Sequence, residues 1–345
     1  MFKYVLKRIG LALINTFLII SLAYILTMSL KPQLPIGSEA SKVAYCEKEV
    51  YFGYMYSSKG KEVEGEEYFF KYTSTSGVTT YYYNVKPFQR YLNWLENIVT
   101  EWEWGQSRKI EPNVSASVII GERIKVSIKL NIISVIFSVP IGILLGIWAA
   151  LKKNSLTDHI ISTLIMVFIS IPSFVLISFL ISIFGYNLSW LPARWPSVTD
   201  PNIKKVLGYI IPVFCLSFGS ICGYCRATRA ELCEVMESEY LLLARTKGLT
   251  RKQAILRHAL RNAMVPIVPS ILAEFIGILG GSMILEKLYG IPGIGDLFIR
   301  ALNEKDYNIL FVDMAIFTTI SLLASVVLDL SYGFIDPRIR MGAKK

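Results

Sequence analysis

The sequence has no phosphate-binding glycine loop. Neither a Gly-x-x-x-x-Gly-Lys-Ser/Thr run nor a Gly-x-Gly-x-x-Gly run occurs in its 345 residues, so any ATP used on its behalf must be hydrolysed by another chain. Histidine is almost absent. The two that occur, His159 and His258, lie far apart in the chain, and no nucleophile, base and orienting group assemble around them, which disfavours a hydrolase or a metal enzyme. Cysteine is scarce too, five in all, too few and too scattered for a disulfide scaffold. Cys215, Cys222 and Cys225 fall in or at the end of an apolar run, Cys233 in the polar loop after it, and Cys46 stands alone. Cys222-x-x-Cys225 has redox-motif or half-zinc spacing, but without a second pair or a nearby histidine its expected role is packing.

Apolar surface, by contrast, is abundant. Hydrophobic residues make up 53% of the chain and mean hydropathy is +0.47, values a soluble globular chain of this length rarely reaches. Runs of about 20 apolar residues, the length that crosses hydrocarbon as helix, lie near 9–30, 127–151, 160–184, 206–225, 264–285 and 309–333. Only helices and closed barrels satisfy every backbone polar group in lipid, and these runs are too long and unalternating for barrel strands. The expectation is an all-α integral membrane protein with six transmembrane helices. The first run follows Lys3, Lys7 and Arg8 as a signal core would, yet it is longer than one and no small-residue cleavage site precedes Lys31-Pro32. Residues 1–31 therefore read as an uncleaved first helix with its flank, and 118–345 as the part carrying the other five.

The net charge of +10 is unevenly spread. With the N-terminus cytoplasmic, the inner set holds Lys3, Lys7, Arg8, Lys152, Lys153, the basic 226–262 loop, Arg338, Arg340, Lys344 and Lys345. The outer loops at 186–205 and 287–308 mix signs, and glutamates offset the lysines of 32–117. The positive-inside bias puts both termini in the cytoplasm. Clustering at helix ends on one side is the ordinary topological signal, so nucleic-acid binding is discounted.

Residues 32–117 are the one sizeable stretch outside the apolar runs, large enough for a small extracellular domain inserted after the first helix. Tyr45, Tyr51, Tyr54, Tyr56, Tyr68, Tyr72 and Tyr81-Tyr82-Tyr83 crowd it. Glu67–Thr73 and Val78–Val85 read as strands of a hairpin or small sheet, and Pro87 to Val99 as a helix, giving a mixed α/β unit. The tyrosines suit a core and membrane-interface belt, or else a peptide-handling or receptor-docking surface. Without disulfides a unit this small leans on the bundle or a partner.

Within the polar 226–262 loop two short amphipathic helices are joined by a tight turn. Gly248 suits the left-handed position that ends a helix, and Thr250 opens the next, with Gln253 three residues on completing a capping box. By itself this describes a solvated helical loop. The Arg-Thr-Lys-Gly-Leu-Thr run at 245–250, followed by Arg-His-Ala-Leu-Arg-Asn-Ala-Met-Val-Pro at 257–266, closely resembles the cytoplasmic signature loop of permease subunits of bacterial ATP-binding-cassette importers, in the dipeptide, oligopeptide and nickel branch. Tyr-Gly-Ile-Pro-Gly-Ile-Gly-Asp at 289–296, Asn-Glu-Lys-Asp-Tyr at 303–307, Asp-Pro-Arg at 336–338 and Glu-Arg-Ile-Lys-Val-Ser-Ile-Lys-Leu at 122–130 extend the resemblance over roughly 1–31 and 88–345. Residues 32–87 look like an insertion, and Leu242-Leu243 stand where the generic signature has Glu-Ala before Ala244.

The resemblance implies a loop that seats in a cleft of an ATPase. Tyr240, Leu243, Leu249 and Ile255 would fill the cleft, with Arg245, Lys247, Arg251 and Arg257 pairing with acids around it. Ala244, Gly248, Thr250 and Gln253 would shape the turn. These bases also enforce topology. The family further implies a peptide-importing permease of the bacterial cytoplasmic membrane that works by alternating access. Its partners would be a second homologous permease, two cytoplasmic ATPases that bind ATP and magnesium, an extracellular peptide-binding protein and membrane lipid, with no cofactor on this chain. Within the family the alternative is an importer of nickel or another small solute; outside it, a membrane sensor or adaptor using the outer domain as receptor. Glu274 is the deepest ionisable residue of any apolar run and marks either the pathway or an interhelical contact. Gly277, Gly280, Gly281 and Ser282 suit close helix packing. Pro140, Pro172, Pro212, Pro266 and Pro269 would kink the spans they border or interrupt.

Overall fold

The computed structural model describes residues 2–28, 34–277 and 282–335. Lys31-Pro32, Gly280-Gly281, the Asp-Pro-Arg run at 336–338 and Arg340, Lys344 and Lys345 lie outside the described residues. The chain divides into two compact units, one of Leu13–Arg123 with Leu297–Thr319, the other of Met1–Ala12, Ile124–Asp296 and Ile320–Lys345.

The smaller unit takes in the end of α1 (Phe2–Met28), then α2 (Glu39–Tyr51), β1 (Met55–Lys59), β2 (Phe70–Thr73), β3 (Thr79–Asn84) and α3 (Pro87–Glu101). Helix α2 and strand β1 were not legible in the sequence pattern. Ser38 caps α2, its hydroxyl accepting the Ser41 amide at 3.3 Å, and α3 opens on a proline, whose missing N–H costs nothing in a first turn. The three strands form an antiparallel sheet in the order β1-β3-β2. Strand alternation decides where the tyrosines go. Tyr82 packs with Tyr45, Cys46 and Met55 in the unit's core, while its neighbour Tyr83 stacks on Tyr56 at 5.1 Å and accepts the Val63 amide at 2.8 Å. Asn93 and Asn97 of α3 donate to the Gly53 and Phe52 carbonyls at 2.6 and 2.8 Å. Trp94, 1% exposed, stacks on Tyr24 of α1 at 4.0 Å. The tyrosines Tyr45, Tyr54, Tyr82 and Tyr83 are thus core residues.

In the larger unit, α4 (Ala116–Leu151) is followed by α5 (Leu156–Ile169), α6 (Ser173–Leu180) with a π-helical extension over Ile181–Asn187, α7 (Asn202–Leu207) and α8 (Ile210–Met236). The basic loop forms α9 (Glu239–Thr246), α10 (Arg251–Ala254), a π-helical turn over Ile255–Ala259 and α11 (Leu260–Ala263). Then come α12 (Ile267–Gly277) and α13 (Met283–Tyr289), followed by α14 (Ile294–Glu304) and α15 (Tyr307–Ile335), of which Leu297–Thr319 belongs to the smaller unit. Among the described residues four helices are long and apolar enough to cross a membrane: Leu6–Thr27, Ala116–Leu151, Asn202–Met236 and Tyr307–Leu328. A fifth apolar stretch is a bent pair of helices. Leu156–Ile169 and Ser173–Asn187 meet at 95°, because Pro172 sits in extended geometry (ψ 139°) at the break and has no amide to continue the helix. The remaining expected run, 264–285, contains the 11-residue α12 and the start of α13, with residues outside the described set between them. Four to five spans, rather than six, are what the described residues carry.

Two features hold the larger unit together. Helices α4 and α8 touch backbone to backbone: a Cβ added at Gly142 would stand 2.9 Å from the Ile221 carbonyl, and one at Gly146 2.7 Å from the Cys225 carbonyl. This Gly-x-x-x-Gly spacing lets two membrane helices approach closely. Around them Leu130, Ile177, Ile211, Val213, Cys215, Leu285, Tyr289 and Ile291 form one buried cluster joining α4, α6, α8 and α13. Cys222 and Cys225 pack against Ile165 of α5, which is the packing role their spacing left as the simpler reading.

Candidate functional site

The α9–α11 loop owes its shape to local chemistry. Helix α9 ends at Thr246 with Lys247 as its C-cap, and Gly248 follows with φ +95°, a region where a side chain is strained. The Gly248 amide donates to the Arg245 carbonyl at 3.0 Å and the Leu249 amide to Ala244 at 3.4 Å, satisfying carbonyls that a helix end leaves open. The chain then turns at once into α10. The Thr250 hydroxyl accepts the Gln253 amide at 3.3 Å while the Gln253 side chain accepts the Thr250 amide at 3.1 Å, a complete capping box.

Burial splits the loop into two faces. Leu241, Ala254, Ile255, Ala259 and Ala263 pack on Ala150 at the end of α4 and on Leu232 and Cys233 of α8, with Leu249 at the margin. Facing away are Tyr240, Leu243, Arg245, Lys247, Gly248, Thr250, Arg251, Gln253 and Arg257, all exposed, with Ala244 half-buried. Ile255, expected to project toward a partner, is only 6% exposed. Its side chain belongs to the chain's own core because it follows Ala254 on the face that packs against Ala150, Leu232 and Cys233. In its place Leu242, 62% exposed, joins Tyr240 and Leu243 on the outward face. The result is a small apolar patch ringed by arginine and lysine, suited to an acidic, hydrophobic cleft. Lys153, just beyond α4, pairs with Glu237 at the foot of α9, an interaction that raises the lysine's affinity for its proton.

Glu274 of α12 contacts Tyr224 of α8, whose hydroxyl donates to its carboxylate and lies 3.3 Å from the Ser270 carbonyl. The pair links two helices, α8 and α12. Gly277 and Ser282 lie on either side of residues outside the described set.

A second polar centre is not legible in the sequence pattern. Glu286 of α13 is fully buried. It accepts the Ser127 hydroxyl at 2.7 Å and the Gly295 and Asp296 amides at 2.8 and 3.1 Å, while Ser127 in turn accepts the Ile294 amide at 2.9 Å. The first amides of α14 are thus capped by a carboxylate from another helix. A Cβ at Gly293 would collide with both Glu286 and Ser127, which gives the Tyr-Gly-Ile-Pro-Gly-Ile-Gly-Asp run a physical reason. In the other unit Asp306 plays a similar part. Also fully buried, it accepts the Ser107 hydroxyl at 2.7 Å and the Arg108, Lys109 and Ile110 amides at 3.0, 2.9 and 3.2 Å. Both are clamps, and among the described residues no group of three or more His, Cys, Asp or Glu could hold a metal ion.

A capped helix–turn–helix borne on long apolar helices defines a membrane component. The family described as "Binding-protein-dependent transport system inner membrane component" matches residues 142–341. The oligopeptide transport system permease protein OppB of Haemophilus influenzae is 31% identical over 341 residues, 99% of this chain and 100% of that one. The dipeptide transport system permease protein DppB of Bacillus subtilis is 32% identical over 256 residues, 74% of this chain and 80% of that one. This chain belongs to that family: it is a multi-pass, membrane-embedded transport subunit of the ATP-binding-cassette class. Among solved structures the inward-facing MetNI methionine ABC transporter superposes with a TM-score of 0.49 at 16% identity, over 64% of this chain and 97% of that one.

Proposed function

We propose that this chain is the permease subunit of an importer that moves oligo- or dipeptides across the bacterial cytoplasmic membrane by alternating access. Separate ATPases would drive it through the 226–262 loop. The observation that carries this reading is the loop's construction: a capped, rigid helix–turn–helix whose one face is buried on the ends of α4 and α8 and whose other face presents Tyr240, Leu242 and Leu243 among Arg245, Lys247, Arg251 and Arg257. A rigid body of this kind transmits a push, where a flexible loop would absorb it. The names of the relatives support peptides as the cargo.

In this arrangement the chain crosses the membrane six times, with the 264–285 run as the fifth span. Both termini and the α9–α11 loop face the cytoplasm, and the tyrosine-rich α/β region stands outside. A second permease completes the path, two ATPases bind ATP and magnesium, and an outer binding protein delivers the peptide. Glu274 serves as a contact with Tyr224 rather than as part of the path. Co-purification with its cognate ATPases, binding protein and second permease, followed by labelled-peptide uptake into liposomes, tests the reading. ATP-dependent uptake that is lost in Gly248→Pro is expected; absence of any associated ATPase and of uptake would overturn it.

A further inference from the structure

A docked ATPase grips α9–α11, but the grip must also reach the bent α5–α6 pair. The first part of that route is rigid. The buried face of α9–α11 sits on Ala150, Leu232 and Cys233, and α4 and α8 are locked together at Gly142 and Gly146, so these elements move as one body. Helix α5 is attached differently. Along its length Ile161, Ile165 and Phe168 meet Cys222 and Cys225, contacts that are non-directional and can slide. Beyond its far end the chain bends by 95° into α6, whose Ile177 is held in the core beside Ile211, Val213 and Cys215 of α8.

Among the described residues, it is at its start that α5 is fixed in both distance and angle. Asp158, 1% exposed, receives Arg229 of α8 in a two-pronged contact, Nε to Oδ1 at 2.5 Å and Nη2 to Oδ2 at 2.8 Å. Its other lone pairs accept the Asn154 amide at 2.9 Å and the Ser162 hydroxyl at 3.3 Å. The carboxylate is therefore held from the preceding turn, from its own helix and from α8 at once, and a forked guanidinium–carboxylate contact resists rotation as well as separation. We propose that the Asp158–Arg229 pair is the joint through which movement of the docking loop is passed to α5, so that both are positioning residues for coupling. The proposal rests on the importer reading above.

The test uses the complete importer in liposomes and reads peptide taken up per ATP hydrolysed. Asp158→Asn keeps size and loses the charge; Arg229→Lys keeps the charge and loses the fork. Both variants should assemble with the ATPases at wild-type yield and hydrolyse ATP, with uptake per ATP falling fivefold or more. The double variant should be no worse than the poorer single one, because one joint is broken. Unchanged uptake per ATP in the assembled variants would overturn the proposal. So would failure of both variants to assemble, which would make the pair a folding element only. Failure of the importer reading itself is distinct, because the wild-type chain would then bind no ATPase.

Discussion

The φ of +95° at Gly248 allows a graded test of the docking loop. Beyond its two chain neighbours no atom of the chain lies within 4 Å of a Cβ built there, so a substituted side chain meets no wall within the chain and its effect there is conformational. Left-handed backbone costs an ordinary residue about 1–2 kcal/mol, while alanine regains about 0.4–1 kcal/mol by restricting the unfolded loop. The net for Gly248→Ala is about 1 kcal/mol, a ceiling of about fivefold on ATPase affinity. Asparagine tolerates this region, so Gly248→Asn should stay within about twofold. Proline has its φ locked near −65° and lacks the amide that Gly248 donates to Arg245 at 3.0 Å, a loss of about 3 kcal/mol, or more than about a hundredfold. The assay is the dissociation constant of the cognate ATPase for the permease in lipid nanodiscs. Equal losses for Asn, Ala and Pro would refute the conformational account, and so would full affinity in the proline variant.

Three further outcomes follow from the same geometry. Gly146→Ala should lower thermal stability by about 1–3 kcal/mol, since its Cβ would stand 2.7 Å from the Cys225 carbonyl, whereas Gly219→Ala, with open space around it, should be neutral or better in a thermal-shift measurement. Ser127→Ala strands the buried Ile294 amide and removes a donor from Glu286, costing about 1–3 kcal/mol; hydrogen exchange at 294–296 should quicken, and unchanged protection would count against the clamp. Burial pushes the Glu103 carboxyl above its usual 4.5, against the opposing pull of the Gly105 amide, Lys48 and Ser115. Because the folded form holds the proton more tightly, this group's contribution is complete below 4.5 and lost as pH rises through its folded value. Glu103→Gln should flatten that decline in melts recorded across the interval, and an unaltered slope would exclude Glu103 as its source.

What could be read in advance was what is local. Thr250 and Gln253 lie three residues apart, and their capping box needs nothing but that spacing; Gly248 likewise announces its own backbone. The Pro172 break is equally local, though the bend it produces depends on where α6 packs. Ile255 was misplaced because its burial depends on Ala150 and Leu232, about a hundred residues upstream and twenty-odd respectively. Glu286 was passed over for the same reason, since Ser127 and the Gly295 amide that make it a clamp are contributed by separate parts of the chain. The Gly142–Gly146 spacing was a legible signal, obscured by the apolar run around it. In the tyrosine-rich region, composition revealed the sheet but not β1, because a strand as polar as Met-Tyr-Ser-Ser-Lys becomes a strand only by pairing with β3.

The π-helical turn over Ile255–Ala259 means that the docking loop contains one residue more than regular α-helix would use for the same rise. Each α-helical residue turns the chain by about 100°, so this surplus sets the angle between Arg251, before the turn, and Arg261, after it. Removing a single residue here would leave a perfectly good helix whose two basic ends point in different directions. Because Ala259 and Ala263, after the start of the turn, pack on Ala150, Leu232 and Cys233, such a deletion would also swing them off that face, so the length of the chain here is fixed by its own core.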